Sequence, residues 1–508
     1  MKKAFAALVL IMLVAAFFRL WDLKNIPPGL WADEAMNGTN ALVALEQKDW
    51  KVFYSENFGR EGLFINIQSL FVAVLGNEPW VLRLPSAIFG ILTVLGLYLM
   101  TKELFGIRVA LTASFFLATL FWHISFSRIG FRAIMAPFFL VWAFNFLFLA
   151  MRKSKEWLFA VAGLVFGLGV HSYIAYRVAP IIALLPLWKF YTRQKLAHLG
   201  GRENYCAPCA IGLFIFMAFL AALPLLWYYA QNPQDFFGRT AGISILGSRE
   251  PLAQFSENVV KTAQMFFLFG DFNWRHNFAG EAELWWPVAI LFLIGIWVSI
   301  KKFQWPNNFV LLWLVVMILP VALSNESLPH ALRSIVLIPP AMIFAALGLE
   351  WISQKIRPQL KVFIFIFLIT ATLNAYNQYF LRWAPNFNVY QAFQTDLTEK
   401  AHWLNSQPNN IKKYIITNAV DQVDTSGTPM SFQPIIFITN TASPAKQTEK
   451  NIYYLAYKDI ERIDCNAPCL IVSPDKHPIE LLRQIKQKIP GLRLDASPGF
   501  VVLKKLLK

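Results

Sequence analysis

Residues 62–75 read GLFINIQSLFVAVL, and how this stretch is read decides the fold. It is apolar but short, and Asn66 and Gln68 interrupt it. A helix needs about 20 mostly apolar residues to cross a hydrocarbon core ~30 Å thick. Eleven other stretches come near that length, at about 4–20, 84–101, 109–126, 133–151, 157–170, 175–191, 208–230, 285–300, 308–323, 334–351 and 361–380. If 62–75 does not cross, alternate connections carry Lys102 and Arg108, then Arg152, Lys153 and Lys155, then Arg193, Lys195 and Arg202. Lys301 and Lys302 follow, then Lys355, Arg357 and Lys361, all on the side of Lys2 and Lys3. That is a consistent positive-inside pattern; a crossing at 62–75 would move every cluster outside. The stretch therefore reads as an interfacial helix on the outer surface.

The fold class that follows is a polytopic α-helical membrane protein of about eleven transmembrane helices with a cytoplasmic N-terminus. The apolar run after Met1-Lys2-Lys3 reads as an uncleaved first span rather than a signal peptide. Residues 1–384 form the membrane domain, with outer loops at 21–82 and 231–284. Trp21, Trp31, Trp50 and Trp80 are interface anchors in the first loop. From about 385 to 508 the composition turns polar. Strand-like runs at 413–418, 434–439, 452–457, 469–473 and 499–503, with an amphipathic helix at 478–489, predict a small extracytoplasmic α/β domain.

Composition agrees. Of 508 residues 56% are hydrophobic and only 15% charged, against roughly 25% charged in soluble proteins. The net charge of +16 fits positive-inside loops and contact with anionic lipid headgroups of the bilayer. No basic, aromatic-interleaved surface argues for nucleic acid. Cys206-Ala-Pro-Cys209 reads as incidental thiols at a helix start, because no second pair completes a zinc site. Cys465 and Cys469 are spaced to pair in an oxidising compartment.

The ionisable residues gather in the outer connections, where they can line one cavity. Asp33 and Glu34 stand side by side in the tryptophan-rich first loop, with Glu56, Arg60 and Glu61 after them. Arg128 and Arg132 follow the third span, and His171, Tyr173, Tyr176 and Arg177 lie between the fifth and sixth. Asp271, Arg275 and His276 sit in the 231–284 loop, and His330 and Arg333 precede the tenth span. Adjacent carboxylates at a membrane edge are costly to desolvate without a partner or a task. Asp33 reads as a general base, or as a ligand holding the acceptor or a divalent metal ion; the alternative, the N-cap of a helix over 34–46, is compatible with either. Arg128 and Arg132, four apart, share one side if helix continues there, and two guanidiniums together suit a phosphate. Snorkelling at the membrane edge is the alternative. His330 and Arg333 repeat the pattern at another span end. Glu61, His171, Tyr173 and Arg177 are further cavity-lining residues. There is no Walker loop, HExxH, GxGxxG or nucleophile elbow.

These stretches, in this order, carry a resemblance. Ala32-Asp33-Glu34-Ala35 follows an N-in first span, and Gly59-Arg60-Glu61-Gly62-Leu63-Phe64 leads the interfacial helix. Arg83-Leu84-Pro85-Ser86 opens one span and His123-Ile124-Ser125-Phe126-Ser127-Arg128 closes another. Arg333 then precedes a helix containing Pro339-Pro340. Over about 1–350 the chain resembles the C-type membrane glycosyltransferases (GT-C fold), in particular the bacterial protein O-mannosyltransferase and aminoarabinose-transferase-like group. The resemblance implies inverting transfer from a polyprenyl-phosphate sugar to a lipid, protein or glycan acceptor, on the extracytoplasmic face of the cell membrane. It implies Asp33 as the essential carboxylate, with Glu34 beside it. It also implies that outer-loop cations hold the donor phosphate, here Arg60, Arg128, Arg132, His330 and Arg333. The chain departs from the family's usual pattern at Arg60-Glu61-Gly62-Leu63, and at Met135-Ala136-Pro137-Phe138, which lacks an acidic residue before the Pro-Phe pair. Glu61 is the carboxylate offered in its place. A flippase for lipid-linked sugars would instead show internal repeats and paired broken helices, which this sequence lacks. A scaffold working through its C-terminal domain is the remaining alternative.

Overall fold

The computed structural model describes residues 2–199, 205–242, 244–325, 328–418, 423, 427–475 and 478–505. Arg202 of the third basic cluster lies outside the described residues. The chain divides into two compact units, Met1–Leu23 with Arg83–Pro385, and Lys24–Leu82 with Asn386–Lys508. Residues 24–82 thus group with the C-terminal segment rather than with the spans.

The first unit is helical, and the chain is a multi-pass membrane protein. Among the described residues eight helices are long and apolar enough to cross a membrane, or nine if the bent pair Ile107–Thr119 and Phe121–Ser127 counts as one span. The eleven stretches read from the sequence comprise these nine and two more. The other two are helices, but short: Glu156–Leu168 has 13 residues and Trp286–Lys302 has 17. At ~1.5 Å per residue, 13 residues rise only about 20 Å. A 3-10 turn at Gly169–His171 extends the shorter one.

Burial ranks the helices. Every residue from Ile338 to Leu349 is buried, which puts the helix Ile338–Lys355 at the centre of the unit. Pro339 and Pro340 sit in its first turn, where their missing N–H groups cost nothing. By contrast, Pro358–Trp383 buries 11% of its apolar window and Ala207–Gln231 buries 22%, leaving apolar faces for lipid. The Trp286–Lys302 helix crosses the central helix at two glycines. A Cβ at Gly295 would overlap the Phe344 carbonyl, and one at Gly348 the Leu291 carbonyl. Small residues let membrane helix backbones approach this closely.

The second unit contains the predicted interfacial segment as the helix Leu63–Leu75 and, before it, the helix Ala32–Gln47, called here the Asp33 helix. Strands β1 (Phe53–Tyr54) and β2 (Arg60–Glu61) pair between them, antiparallel. The C-terminal segment adds β3 (Lys412–Thr417), β4 (Ile452–Ala456), β5 (Cys469–Val472), β6 (Arg493–Asp495) and β7 (Val502–Lys505). Their order is β4-β3-β5-β7-β6, with β3 parallel to β4 and β5, and β7 antiparallel to β5 and β6. The predicted helix at 478–489 is Ile479–Lys488. The predicted strand at 434–439 is not a strand. Gln433–Thr439 is a helix with Pro434 in its first turn and every residue buried. A short apolar run with no polar face lacks the alternation that separates a buried strand from a buried helix. One core joins the two parts of this unit: Leu30, Ala35 and Val72 pack with Leu404, Ile435 and Phe437. Cys465 and Cys469 are disulfide-bonded, as their spacing allowed. Cys206 and Cys209 are bonded too, which corrects their reading as incidental thiols.

The glycine crossing generates a test. Gly295→Leu destabilises the protein by about 1–3 kcal/mol, because the overlap is with backbone and not with a movable side chain. Gly212→Leu, where nothing lies within 4 Å of the added Cβ, is near neutral. Thermal unfolding of both variants in detergent measures the difference.

Candidate functional site

In the second unit the Asp33 helix starts two residues earlier than expected, and Asp33 is not its N-cap. The cap position is Trp31, which makes no side-chain cap hydrogen bond. The acceptor comes instead from the C-terminal segment: Ala32 N–H donates to Gln394 Oε1 at 3.1 Å. Just before it, Leu30 N–H donates to Thr398 Oγ1 at 2.9 Å. Asp33 is thereby released from capping. It lies in the first helical turn, partly exposed, with no side-chain hydrogen bond or ion pair found among the described residues. A negative charge there is favoured by the helix's N-terminal dipole. Glu34 is fully buried.

Arg60 is buried one to two turns along the same helix face. It donates to Asn37 Oδ1 at 2.6 Å and Asn40 Oδ1 at 2.7 Å, with Glu56 Oε2 3.8 Å away. Positions 33, 37 and 40 fall on one side of a helix. Arg60 thus splints the helix that presents Asp33. Glu61, its neighbour in β2, is also buried.

In the first unit two arginines exchange places across a helix break. Arg19, at the end of the first span, donates to the carbonyls of Leu117 and Ala118 at 3.1 Å each, and lies 2.7 Å from His123 Nδ1. Those carbonyls end the helix Ile107–Thr119, where the chain bends by 62°. Arg128, just past the short helix Phe121–Ser127, donates back to the carbonyls of Phe18 (3.0 Å) and Trp21 (2.8 Å). It also lies over the rings of Tyr379 and Phe380. The helix does not continue through Arg132, contrary to the expectation that both arginines share a face. Arg128 ends it and Arg132 opens a 3-10 turn. Arg128 is fully buried, while Arg132 is partly exposed and lies over Tyr173.

The short helix Phe121–Ser127 also secures a polar cluster. Trp122 Nε1 donates to Ala331 O at 3.0 Å, Ser125 Oγ to Arg275 O at 3.3 Å, and Phe126 lies against the His276 ring. Asp271 Oδ2 accepts from Ala331 N–H at 2.9 Å and lies 2.9 Å from His276 Nδ1 and 3.8 Å from His330 Nδ1. Burial works to raise the Asp271 carboxyl, but the hydrogen bond and charge of His276, with His330 behind it, hold it below the ordinary carboxylate range. Glu283 Oε1 accepts from Asp271 N–H at 3.0 Å, and burial pushes Glu283 well above its usual value.

Asp271, His276 and His330 each offer one ligand atom, all within 4.8 Å of one another, so they can hold a metal ion. Imidazole nitrogens with a carboxylate suit zinc and related transition metals. The metal expected at Asp33 finds no such group there; the metal-capable cluster found among the described residues is this one. The sequence places Asp271 and His276 among the charged residues of the 231–284 loop without joining them to a site. His330 lies 59 residues beyond Asp271 and 54 beyond His276, with no local motif joining them.

The remaining predicted residues are dispersed. His171 Nε2 lies 2.9 Å from Ala221 O, and Tyr173 is buried beneath Arg132. Arg177 donates to Phe236 O and Tyr229 Oη, both at 3.1 Å, and lies over the Phe236 ring. Arg333 is buried in the turn that follows His330.

The fold is that of the C-type membrane glycosyltransferases. Residues 63–226 match the family model described as dolichyl-phosphate-mannose-protein mannosyltransferase. The solved structure of ArnT from Cupriavidus metallidurans bound to undecaprenyl phosphate is similar with a TM-score of 0.61 at 12% identity, over 99% of this chain and 98% of that one. Its apo state gives a TM-score of 0.57. Two proteins of Bacillus subtilis (strain 168) are similar in sequence. "Putative mannosyltransferase YkcB" is 29% identical over 233 residues, 43% of this chain and 30% of its own length. "Putative mannosyltransferase YycA" is 28% identical over 200 residues, 37% of this chain and 28% of its own. The matched regions thus span less than a third of these curated relatives.

Two outcomes test this geometry. Arg128→Met leaves carbonyls of the first helix end without donors and costs about 1–3 kcal/mol per buried group, read as a lower unfolding temperature. For the cluster, titration of the purified protein with Zn2+ or Co2+ loads one ion per chain, counted by mass spectrometry, and His276→Ala and His330→Ala abolish that loading. Equal loading of wild type and variants excludes a metal on these ligands.

Proposed function

We propose that this chain is a membrane glycosyltransferase, moving a sugar from a polyprenyl-phosphate donor to an acceptor hydroxyl, or another acceptor group, on the extracytoplasmic face of the cell membrane. The observation that carries the reading is Asp33. It is a carboxylate held in a first helical turn, relieved of capping by Gln394 and without a side-chain partner among the described residues. Likeness along nearly the whole chain to ArnT, a protein solved with undecaprenyl phosphate, supports the donor class. The mannosyltransferase names of the matching family and relatives favour mannose as the first sugar to try.

The chemistry assigns roles. The acceptor O–H gives its proton to the Asp33 carboxylate while its oxygen bonds the anomeric carbon from the face opposite the phosphate. The bond from that carbon to the phosphate oxygen breaks, and the electron pair leaves with the polyprenyl phosphate. A positioned base contributes about 10²–10⁴-fold to such a step. Cations on the leaving phosphate stabilise the charge that develops there. Arg132, His330 and Arg333 are the proposed phosphate ligands. Arg128 acts as a positioning residue, because its guanidinium is engaged by backbone carbonyls. Arg60 positions the Asp33 helix, with Glu34 and Glu61 supporting it. His171, Tyr173 and Arg177 shape their own part of the first unit. A metal held by Asp271, His276 and His330 would add positive charge and rigidity to that cluster. The N-terminus is proposed to be cytoplasmic, and the segment after Pro385 extracytoplasmic.

The test uses the full chain in lipid nanodiscs with polyprenyl-phosphate mannose, glucose and aminoarabinose, measuring release of the carrier. Asp33→Asn lowers the rate at least about a hundredfold without changing the unfolding temperature. Arg132→Ala and Arg333→Ala raise the donor KM. Wild-type turnover in the Asp33→Asn protein overturns the reading.

A further inference from the structure

A cavity of about 260 Å3 opens beside the Asp33 helix, and both segments of the second unit line it. The helix contributes Met36, Thr39, Asn40, Val43, Ala44 and Gln47. At 100° per residue these positions share one side of the helix, and Asp33 lies on that side, above them. From Asp33 to Asn40 the rise is about 10 Å at ~1.5 Å per residue. Across from the helix stand Gln433, Ile436, Gln447 and Tyr454.

The lining is chosen for hydroxyl-rich ligands. Amides and hydroxyls both donate and accept, which matches sugar hydroxyls and wastes nothing on charge. Several of these groups are fixed in advance. Asn40 Oδ1 is taken by Arg60, which leaves its Nδ2 donors for the cavity. Gln447 Nε2 donates to Thr441 O at 3.2 Å, leaving its own oxygen as an acceptor. Tyr454 Oη is held 2.6 Å from Thr441 Oγ1. Thr39 Oγ1 is buried and has no hydrogen-bond partner among the described residues. Met36, Val43 and Ile436 supply apolar surface for the flat face of a pyranose. The charged lining residues are Asp49, Glu56 and Lys51, with no excess of positive charge to recruit a phosphate. The volume corresponds to on the order of ten liquid waters, the space of about one sugar ring.

We infer that this cavity binds a neutral sugar residue of the acceptor, so that the acceptor is a glycan whose next hydroxyl is offered to Asp33. The inference rests on the transferase reading for its purpose, but the binding site stands or falls separately. Preorganised amides cut the ordering cost of binding a flexible polar ligand.

The experiment is equilibrium binding of a panel of neutral disaccharides, built from glucose, mannose and N-acetylglucosamine, to the full chain in nanodiscs, followed by calorimetry and saturation-transfer NMR. At least one disaccharide binds in the millimolar range or tighter. Ala442→Trp, which fills the cavity, abolishes binding, and Gln47→Ala and Gln447→Ala each weaken it by roughly tenfold, one lost hydrogen bond apiece. Carrier release is measured on the same preparation: disaccharide binding without any release sinks the transferase reading and leaves this site standing, so the two failures are distinguishable. The inference is overturned if no disaccharide binds, or if binding survives both the filled cavity and the two glutamine variants.

Discussion

Backbone carbonyls at a helix end must find donors, and in a membrane protein water is not there to supply them. This chain meets the demand with two arginines that serve each other's helices. Arg19 leaves the first span and closes the carbonyl end of Ile107–Thr119, and Arg128 leaves Phe121–Ser127 and closes the end of the first span. Unsatisfied polar groups in hydrocarbon cost several kcal/mol each, so the 62° bend is affordable only with these donors in place. The bend in turn aims Trp122, Ser125 and Phe126 at the segments around Asp271 and Ala331. The polar cluster of the first unit thus depends on the arginine exchange.

The second unit applies the same rule in a different setting. A helix whose own N-cap position holds a tryptophan receives its acceptor from Gln394, more than 350 residues along the chain. The C-terminal segment therefore does more than fold as a separate module. It closes the core under the first outer loop and leaves Asp33 with its charge unspent. Arg60 stiffens the same helix through two asparagines, with the Glu56 carboxylate 3.8 Å from its guanidinium.

Much of this was legible in the sequence. The helix at 62–75, the apolar spans, most strands of the C-terminal sheet and the Asp33-Glu34 pair are legible in the sequence, because each is encoded over a few helical turns or strands. The failures have one origin. The helix at Gln433–Thr439, the capping of the Asp33 helix and the fate of Arg128 are settled by partners far away in sequence. A six-residue apolar run looks the same as strand or helix until its neighbours are present. Likewise, an arginine at a span end looks the same whether it binds phosphate, snorkels or caps a distant helix. The Asp271, His276 and His330 cluster has a local half, two residues in one loop, and a distant half that no spacing rule foretells.

The sequence by itself determined that the chain crosses a membrane repeatedly, and where along the chain its basic and acidic residues cluster. Hydropathy and charge act residue by residue, so a linear reading captures them. Only the tertiary structure decided what each charge does. It spends Arg19 and Arg128 on backbone carbonyls, gives Asp271 two histidine neighbours, and leaves Asp33 uncommitted. Hydrogen bonds are directional and short, and their partners are fixed only when distant segments are packed together.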